Sequence, residues 1–221
     1  MLFRSPLLVR PIPAEEWATS WRAEFPILRV GRIVVRPPWR EHLAEPEDAV
    51  VTIDPGQAFG TGLHPTTRLA LIGIERWGAA GRLGEFPLDG PGVLDVGTGS
   101  GILLLAAIAL GASHGTGVDI DPVAVVAARQ NALQNRAAAE FIEANQKLAG
   151  EFDVVIANIL ANPLKLLAPV LARATRAGGR IVLSGVLDHQ AGEVTDCYAA
   201  WFDMEVPIHE DGWALLSGRR R

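Results

Sequence analysis

Asp95-Val96-Gly97-Thr98-Gly99-Ser100-Gly101 follows the apolar pair Val93-Leu94 and runs into the apolar stretch from Ile102 to Leu110. That succession predicts a strand, a glycine-rich turn and the start of a helix, the layout of a nucleotide-binding turn. Gly97, Gly99 and Gly101 tolerate the positive dihedrals of a tight turn and have no side chain to hold a flat ligand off the main chain. Their spacing, G-x-G-x-G, is not the full dinucleotide signature, so no pyrophosphate is demanded. Eighteen residues past Gly101 a second apolar run, Gly115 to Val118, ends at Asp119, about where a ribose-binding carboxylate falls in a strand, turn, helix, strand unit. The two features together suit a mononucleoside whose sugar reaches Asp119 and whose charged tail sits at the positive end of the following helix. S-adenosylmethionine fits that description.

A second candidate is Asn158, which directly follows the buried-strand pattern Phe152 to Ala157. Ligands bind at the carboxyl ends of such strands, and an amide placed there can accept one hydrogen bond from an incoming amine and donate another. Asparagine is also a favoured helix N-cap, and Pro163 opens a helix soon after, but its distance from that proline favours the chemical reading. A third stretch, Asp54 to Thr67, is too polar and glycine-rich for a core. It precedes the first sheet strand and can fold over the mouth of the site, with the Phe59 ring and the Thr67 hydroxyl as contacts; otherwise it is a surface loop capped into the helix Leu69 to Trp77. His64 has no second histidine or carboxylate at a ligand spacing, so it reads as loop structure rather than as a metal ligand.

These residues need a scaffold, and from Gly92 onward short β-rich runs alternate with helical ones. Strands are expected at Val93 to Val96, Gly115 to Ile120, Glu140 to Ile142, Phe152 to Ala157 and Arg180 to Ser184. Helices are expected over Ser100 to Leu110, Pro122 to Asn135, Pro163 to Thr175 and Gln190 to Trp201. Asp121-Pro122 places a capping carboxylate before a proline at the first helical position, and Gly178-Gly179 marks a helix stop. Met204 to Ile208 and Trp213 to Ser217, joined by Glu210-Asp211-Gly212, read as an antiparallel hairpin. A mostly parallel sheet that ends in a reversed strand is the α/β, Rossmann-like class I methyltransferase arrangement, seven-stranded with an antiparallel C-terminal strand. Ahead of it, residues 1–48 are dense in proline and tryptophan and read as an arm or linker, with residues 49–221 as the catalytic domain. The arm offers a short helix with Trp17 and Trp21 on one face and a strand over Ile27 to Val35, and Gly81 to Gly90 reads as a connector.

The chain has 221 residues, 49% of them hydrophobic and 20% charged, which implies one main core. A net charge of −5 gives no pull toward phosphate backbones, so direct nucleic-acid binding is disfavoured while a basic protein partner is not. Cys197 is the single cysteine, which excludes an intramolecular disulfide and a cysteine-based metal site. Pro6, Pro11 and Pro13 interrupt the start before a signal peptide could form, and no apolar run approaches the roughly 20 residues of a membrane span. A soluble, cytoplasmic protein with no membrane contact is expected.

The glycine turn, Asp54-Pro55-Gly56, Phe59-Gly60-Thr61-Gly62, His64-Pro65-Thr66-Thr67, Gly117-Val118-Asp119-Ile120-Asp121-Pro122 and Ala157-Asn158-Ile159-Leu160-Ala161 together resemble the ribosomal protein L11 methyltransferases over roughly Glu16 to Arg219. By that resemblance Thr67, Gly97, Asp119 and Asn158 bind S-adenosylmethionine, and the substrate is a large-subunit ribosomal protein methylated on lysine side chains and its N-terminal amine. The family carries a small α/β recognition domain ahead of the linker, whereas this chain begins close to the linker. Either the protein works on another protein or a small-molecule amine, or the chain is a fragment or a short member of the family. A non-catalytic cofactor-binding scaffold is the remaining alternative, against which the intact Asn158 motif argues.

Overall fold

A computed structural model of the chain describes residues 26–41, 44–54, 62–79, 92–146 and 150–221. The expected tryptophan-bearing helix and the connector Gly81 to Gly90 lie outside these residues. The main sheet comprises β4 (Gly92–Val96), β5 (His114–Asp119), β6 (Ala139–Glu143), β7 (Phe152–Asn158), β8 (Thr175–Leu187), β9 (Phe202–Met204), β10 (Ile208–Glu210) and β11 (Trp213–Arg220). Its order is β10-β11-β8-β7-β4-β5-β6, with β9 also on β11. The strands from β6 across to β8 pair in parallel, and β11 runs antiparallel to β8. Helices α1 (Pro65–Ala79), α2 (Ile102–Ala109) and α3 (Pro122–Asn135) cover one face, and α4 (Ala161–Ala174) and α5 (Ala191–Tyr198) the other. This is the expected class I methyltransferase arrangement.

Both faces of the sheet are covered, so its central strands are continuous apolar runs rather than alternating ones. Side chains still divide by parity: Val154, Ile156 and Val182 join the core under α1 to α3, while Val155, Ala157 and Leu183 join the core under α4 and α5. Helix α2 is apolar all round because it is sandwiched. Its outer side meets a small sheet of β1 (Leu28–Val30), β2 (Ile33–Arg36) and β3 (Ala49–Thr52), whose Ile33, Val35 and Val51 belong to the same core as Ile102 and Leu105. The strand expected over Ile27 to Val35 is thus a hairpin turning at Gly31, where φ is 53°. Strand β2 pairs in parallel with β3, so this sheet contains residues from both sides of position 48.

Three local expectations are corrected. Gly178-Gly179 does not stop a helix: α4 ends at Thr175, whose hydroxyl donates to the Leu171 carbonyl at 2.8 Å, and both glycines lie inside β8. They sit in an irregularity where β8 places residues 176–179 opposite the single residue Asp153 of β7. The strand expected over Met204 to Ile208 is divided into β9 and β10 around Pro207, which has no N–H for the ladder. The two pieces pair with successive parts of β11, so the main sheet holds eight strands by count among the described residues. The last helical stretch is a 3-10 turn, Asp188–Gln190, followed by the short α5.

Candidate active site

The register of four adjacent strands assembles the site. Val96 of β4 pairs with Val118 of β5 on one side and with Ala157 of β7 on the other, and Ala157 pairs with Leu183 of β8. The next residue of each strand therefore lies at one level: Gly97, Asp119, Asn158 and Ser184 form a row along the carboxyl-terminal rim. Strand β4 is where the connections diverge, with β5 and β6 to one side and β7 and β8 to the other, and that is where ligands bind in open α/β sheets.

The glycine turn is held by backbone contacts to β5. Gly97 N–H and Thr98 N–H both donate to the Val118 carbonyl, at 2.8 and 3.1 Å, and Gly101 N–H donates to Thr98 O at 2.8 Å. All three glycines have positive φ: 75° at Gly97, 55° at Gly99 and 83° at Gly101. The space left by two of them is already used. A Cβ on Gly97 would fall 2.3 Å from Ile159 Cγ2, and one on Gly101 would crowd Phe141 and Ala128. Their absent side chains thus serve turn conformation and internal packing, beyond the ligand approach expected from sequence. Helix α2 begins at Ile102, later than the expected Ser100, because the turn persists through Gly101.

Asp119 is fixed at both oxygens: Oδ2 accepts Gly99 N–H at 2.8 Å and Oδ1 accepts Asp121 N–H at 3.0 Å. Each oxygen keeps a further lone pair for a hydroxyl donor. Asp121 caps α3 as expected, accepting Val123 N–H at 2.8 Å. Across the rim, Asn158 Nδ2 lies 3.5 Å from Thr67 Oγ1, a long and weak donation that leaves Asn158 Oδ1 as an acceptor. Asn158 is not a helix cap: the cap of α4 is Leu160. Thr67 is buried in the first turn of α1, and His64 at the entry to that helix has its Nδ1 2.8 Å from Thr66 Oγ1 and its ring edge-on to Trp213. Phe59 lies outside the described residues.

Sequence reading missed three contributors. Asp95 is fully buried; its Oδ2 accepts the Thr98 hydroxyl at 2.8 Å, and its Oδ1 has no partner at hydrogen-bond distance. Burial pushes its carboxyl up to about 7, opposed by the Thr98 hydroxyl and the Leu104 amide and assisted by the charge of Asp119. Ser184 is fully buried and donates to the Thr66 carbonyl at 2.8 Å, tying the start of α1 to β8. Gly185, with φ of 83°, lets the Ile159 backbone pass so closely that a Cβ would sit 2.4 Å from its carbonyl oxygen. Only the pairing of β8 with β7 brings Ser184 and Gly185 to this rim; their local sequence carries no signal for it.

Two carboxyl groups around a backbone-lined turn, one of them with an orphaned buried oxygen, are a donor and acceptor set that fits a cationic nucleoside bearing free sugar hydroxyls. Among the described residues no group of three His, Cys, Asp or Glu side chains could hold a metal ion, and no helix is long and apolar enough to cross a membrane.

The family model for ribosomal protein L11 methyltransferase (PrmA) matches residues 5–221. The chain belongs to the ribosomal protein L11 methyltransferase family. A relative of that name from Laribacter hongkongensis is 47% identical over 96% of this chain and 69% of its own length. The chain thus spans about two thirds of that family member. Among solved structures, a ribosomal protein L11 methylase from Lactobacillus delbrueckii subsp. bulgaricus superposes with a TM-score of 0.75 at 31% identity, covering 87% of this chain and 96% of that one. A 16S rRNA methyltransferase from T. thermophilus, solved with AdoMet and guanosine, shares the fold at a TM-score of 0.57 and 22% identity, over 74% of this chain and 45% of its own.

Proposed function

We propose that this chain is an S-adenosylmethionine-dependent protein N-methyltransferase acting on lysine side chains and the N-terminal amine of ribosomal protein L11, a reaction that belongs to the cytoplasm. The observation that carries the reading is the single row of Gly97, Asp119 and Asn158 along the strand ends, with Thr67 facing Asn158. When bound, the cofactor would supply a sulfonium methyl group: the amine lone pair would form the N–CH3 bond as the S–CH3 bond breaks, with the bonding pair left on the thioether sulfur and the positive charge passed to the nitrogen. In this reading the Asp119 oxygens take the ribose hydroxyls, being already oriented by Gly99 and Asp121. The glycine turn and the first amides of α2 receive the carboxylate of the cofactor's amino-acid tail. Thr67, buried in the first turn of α1, lines the cofactor side in this reading.

Asn158 Oδ1 accepts an N–H of the incoming amine and so aims its lone pair at the methyl group. A free lysine has a pKa near 10.4, so presenting it neutral at pH 7 costs roughly 4 to 5 kcal/mol unless the site lowers that value. A partly desolvated mouth beside a sulfonium does so. Orientation then supplies most of the acceleration.

The test is the purified chain with labelled S-adenosylmethionine and recombinant L11, followed by peptide mass spectrometry. Methylated lysine and N-terminal residues on L11 are expected. Asp119→Ala should weaken S-adenosylhomocysteine binding by about 10- to 100-fold in calorimetry. Asn158→Ala should lower kcat roughly 100-fold with a smaller change in cofactor affinity. Turnover of small amines with none on L11 would reassign the substrate, and an unchanged dissociation constant in Asp119→Ala would remove that residue from the sugar.

A further inference from the structure

Helix α3 carries two asparagines one turn apart, Asn131 and Asn135, and both spend their amides on backbone of other elements. Asn131, 2% exposed, accepts Asp54 N–H at 3.0 Å through Oδ1 and donates to the Ser100 carbonyl at 2.9 Å through Nδ2. Asn135 accepts Thr52 N–H at 2.8 Å and donates to Thr52 O at 2.6 Å and to Asn131 O at 2.7 Å. Among the described residues β3 pairs with β2 on one edge only, so Asn135 acts toward Thr52 as a neighbouring strand residue would. Asn131 does something different. It is the one side chain of the pair that touches the glycine turn, and it links that turn to the chain leaving β3. An amide suits the place because it offers a donor and an acceptor on one short side chain.

Ser100 lies between Gly99, whose N–H meets Asp119, and Gly101, which opens α2. The chain has positive φ on both sides of it, and glycine permits many alternatives to that shape. A buried hydrogen bond to the Ser100 carbonyl selects one of them. We propose that Asn131 is a positioning residue for cofactor binding: it holds the Ser100 carbonyl and the Asp54 amide at a fixed separation, so that the turn and the segment ending at Asp54 are set together. The proposal rests on reading the glycine turn as the cofactor cradle.

Two outcomes separate this role from a general structural one. Asn131→Ala and Asn131→Asp both lose the donor to Ser100, whereas Asn135→Ala loses only contacts to Thr52 and to its own helix. Calorimetric titration with S-adenosylhomocysteine should show affinity down at least about 10-fold in the Asn131 variants and by less than about 3-fold in Asn135→Ala, with all three destabilised. Equal losses at both positions, or wild-type affinity in a folded Asn131 variant, overturn the proposal. Hydrogen exchange on the wild-type protein tests it without a variant. Saturating S-adenosylhomocysteine should slow exchange of the Asp54 amide at least about 10-fold, and unchanged protection there overturns it. Wild-type protein that binds no S-adenosylhomocysteine would bring down the cofactor reading itself, an outcome distinct from binding that ignores Asn131.

Discussion

At the scale of single residues, the rim is built on groups whose surroundings are costly. Asp95 is the clearest case, a fully buried carboxyl with one oxygen satisfied by Thr98 and the other without a partner. Because its folded-state value is raised from 3.8 to about 7, the folded chain holds this proton more tightly than the unfolded chain. Stability from this group is therefore greatest at low pH, declines as pH rises from about 4 to 7 and levels off above. Asp95→Asn keeps the shape and an acceptor for Thr98 while removing the titration. Urea denaturation should find the variant gaining on the wild type by roughly 2 to 3 kcal/mol between pH 5 and pH 8. A difference that is flat across that range would show that Asp95 ionises freely in the folded protein. The place of Asp119 at the end of a strand could be read from sequence, but the burial of Asp95 could not, since nothing local shows that β4 lies between β5 and β7.

At the scale of elements, much of the pattern was legible because its causes are local. The Asp121 cap, the proline after it and the full extent of α3 follow from side chains acting within one turn. The β10 and β11 hairpin follows from Asp211 and Gly212, whose φ values of 52° and 80° make the turn that suits strand twist. What was not legible depends on partners far along the chain. Gly178-Gly179 carries the composition of a helix stop yet belongs to a strand irregularity, because β7 supplies the pairing. Gly185 and Gly212 show the difference in energy. Both have positive φ, but a Cβ on Gly212 meets nothing within 4 Å, whereas one on Gly185 meets the Ile159 backbone. Gly212→Ala should cost only the backbone preference, about 1 to 2 kcal/mol, and leave methyl transfer intact. Gly185→Ala should cost clearly more and lower kcat, since moving Ile159 moves Asn158. Equal stability losses by thermal unfolding would mean that the Ile159 loop yields freely.

At the scale of the molecule, the arrangement that sequence showed least is the sandwiching of α2. An all-apolar helix beside a glycine turn reads as buried, but the cover on its outer side comes from β1 to β3, in a region whose prolines and tryptophans suggested an arm. Because Ile33, Val35 and Val51 share a core with Ile102, Leu105 and Leu69, the small sheet cannot separate without exposing the helix that follows the turn. Local opening of β1 to β3 should then be costly, and the described body is expected to unfold as one cooperative unit. Ile33, with no exposed surface, is the place to test this. Ile33→Ala should cost about 2 to 5 kcal/mol, the range for truncating a buried isoleucine. It should lower the urea midpoint without changing the slope, with far-ultraviolet circular dichroism and tryptophan fluorescence still coinciding. S-adenosylhomocysteine should raise both midpoints together, because a ligand of the glycine turn stabilises whatever unfolds with α2. An early circular dichroism phase that the ligand leaves unmoved would show that β1 to β3 form a separate unit, and that α2 can hold the turn without them.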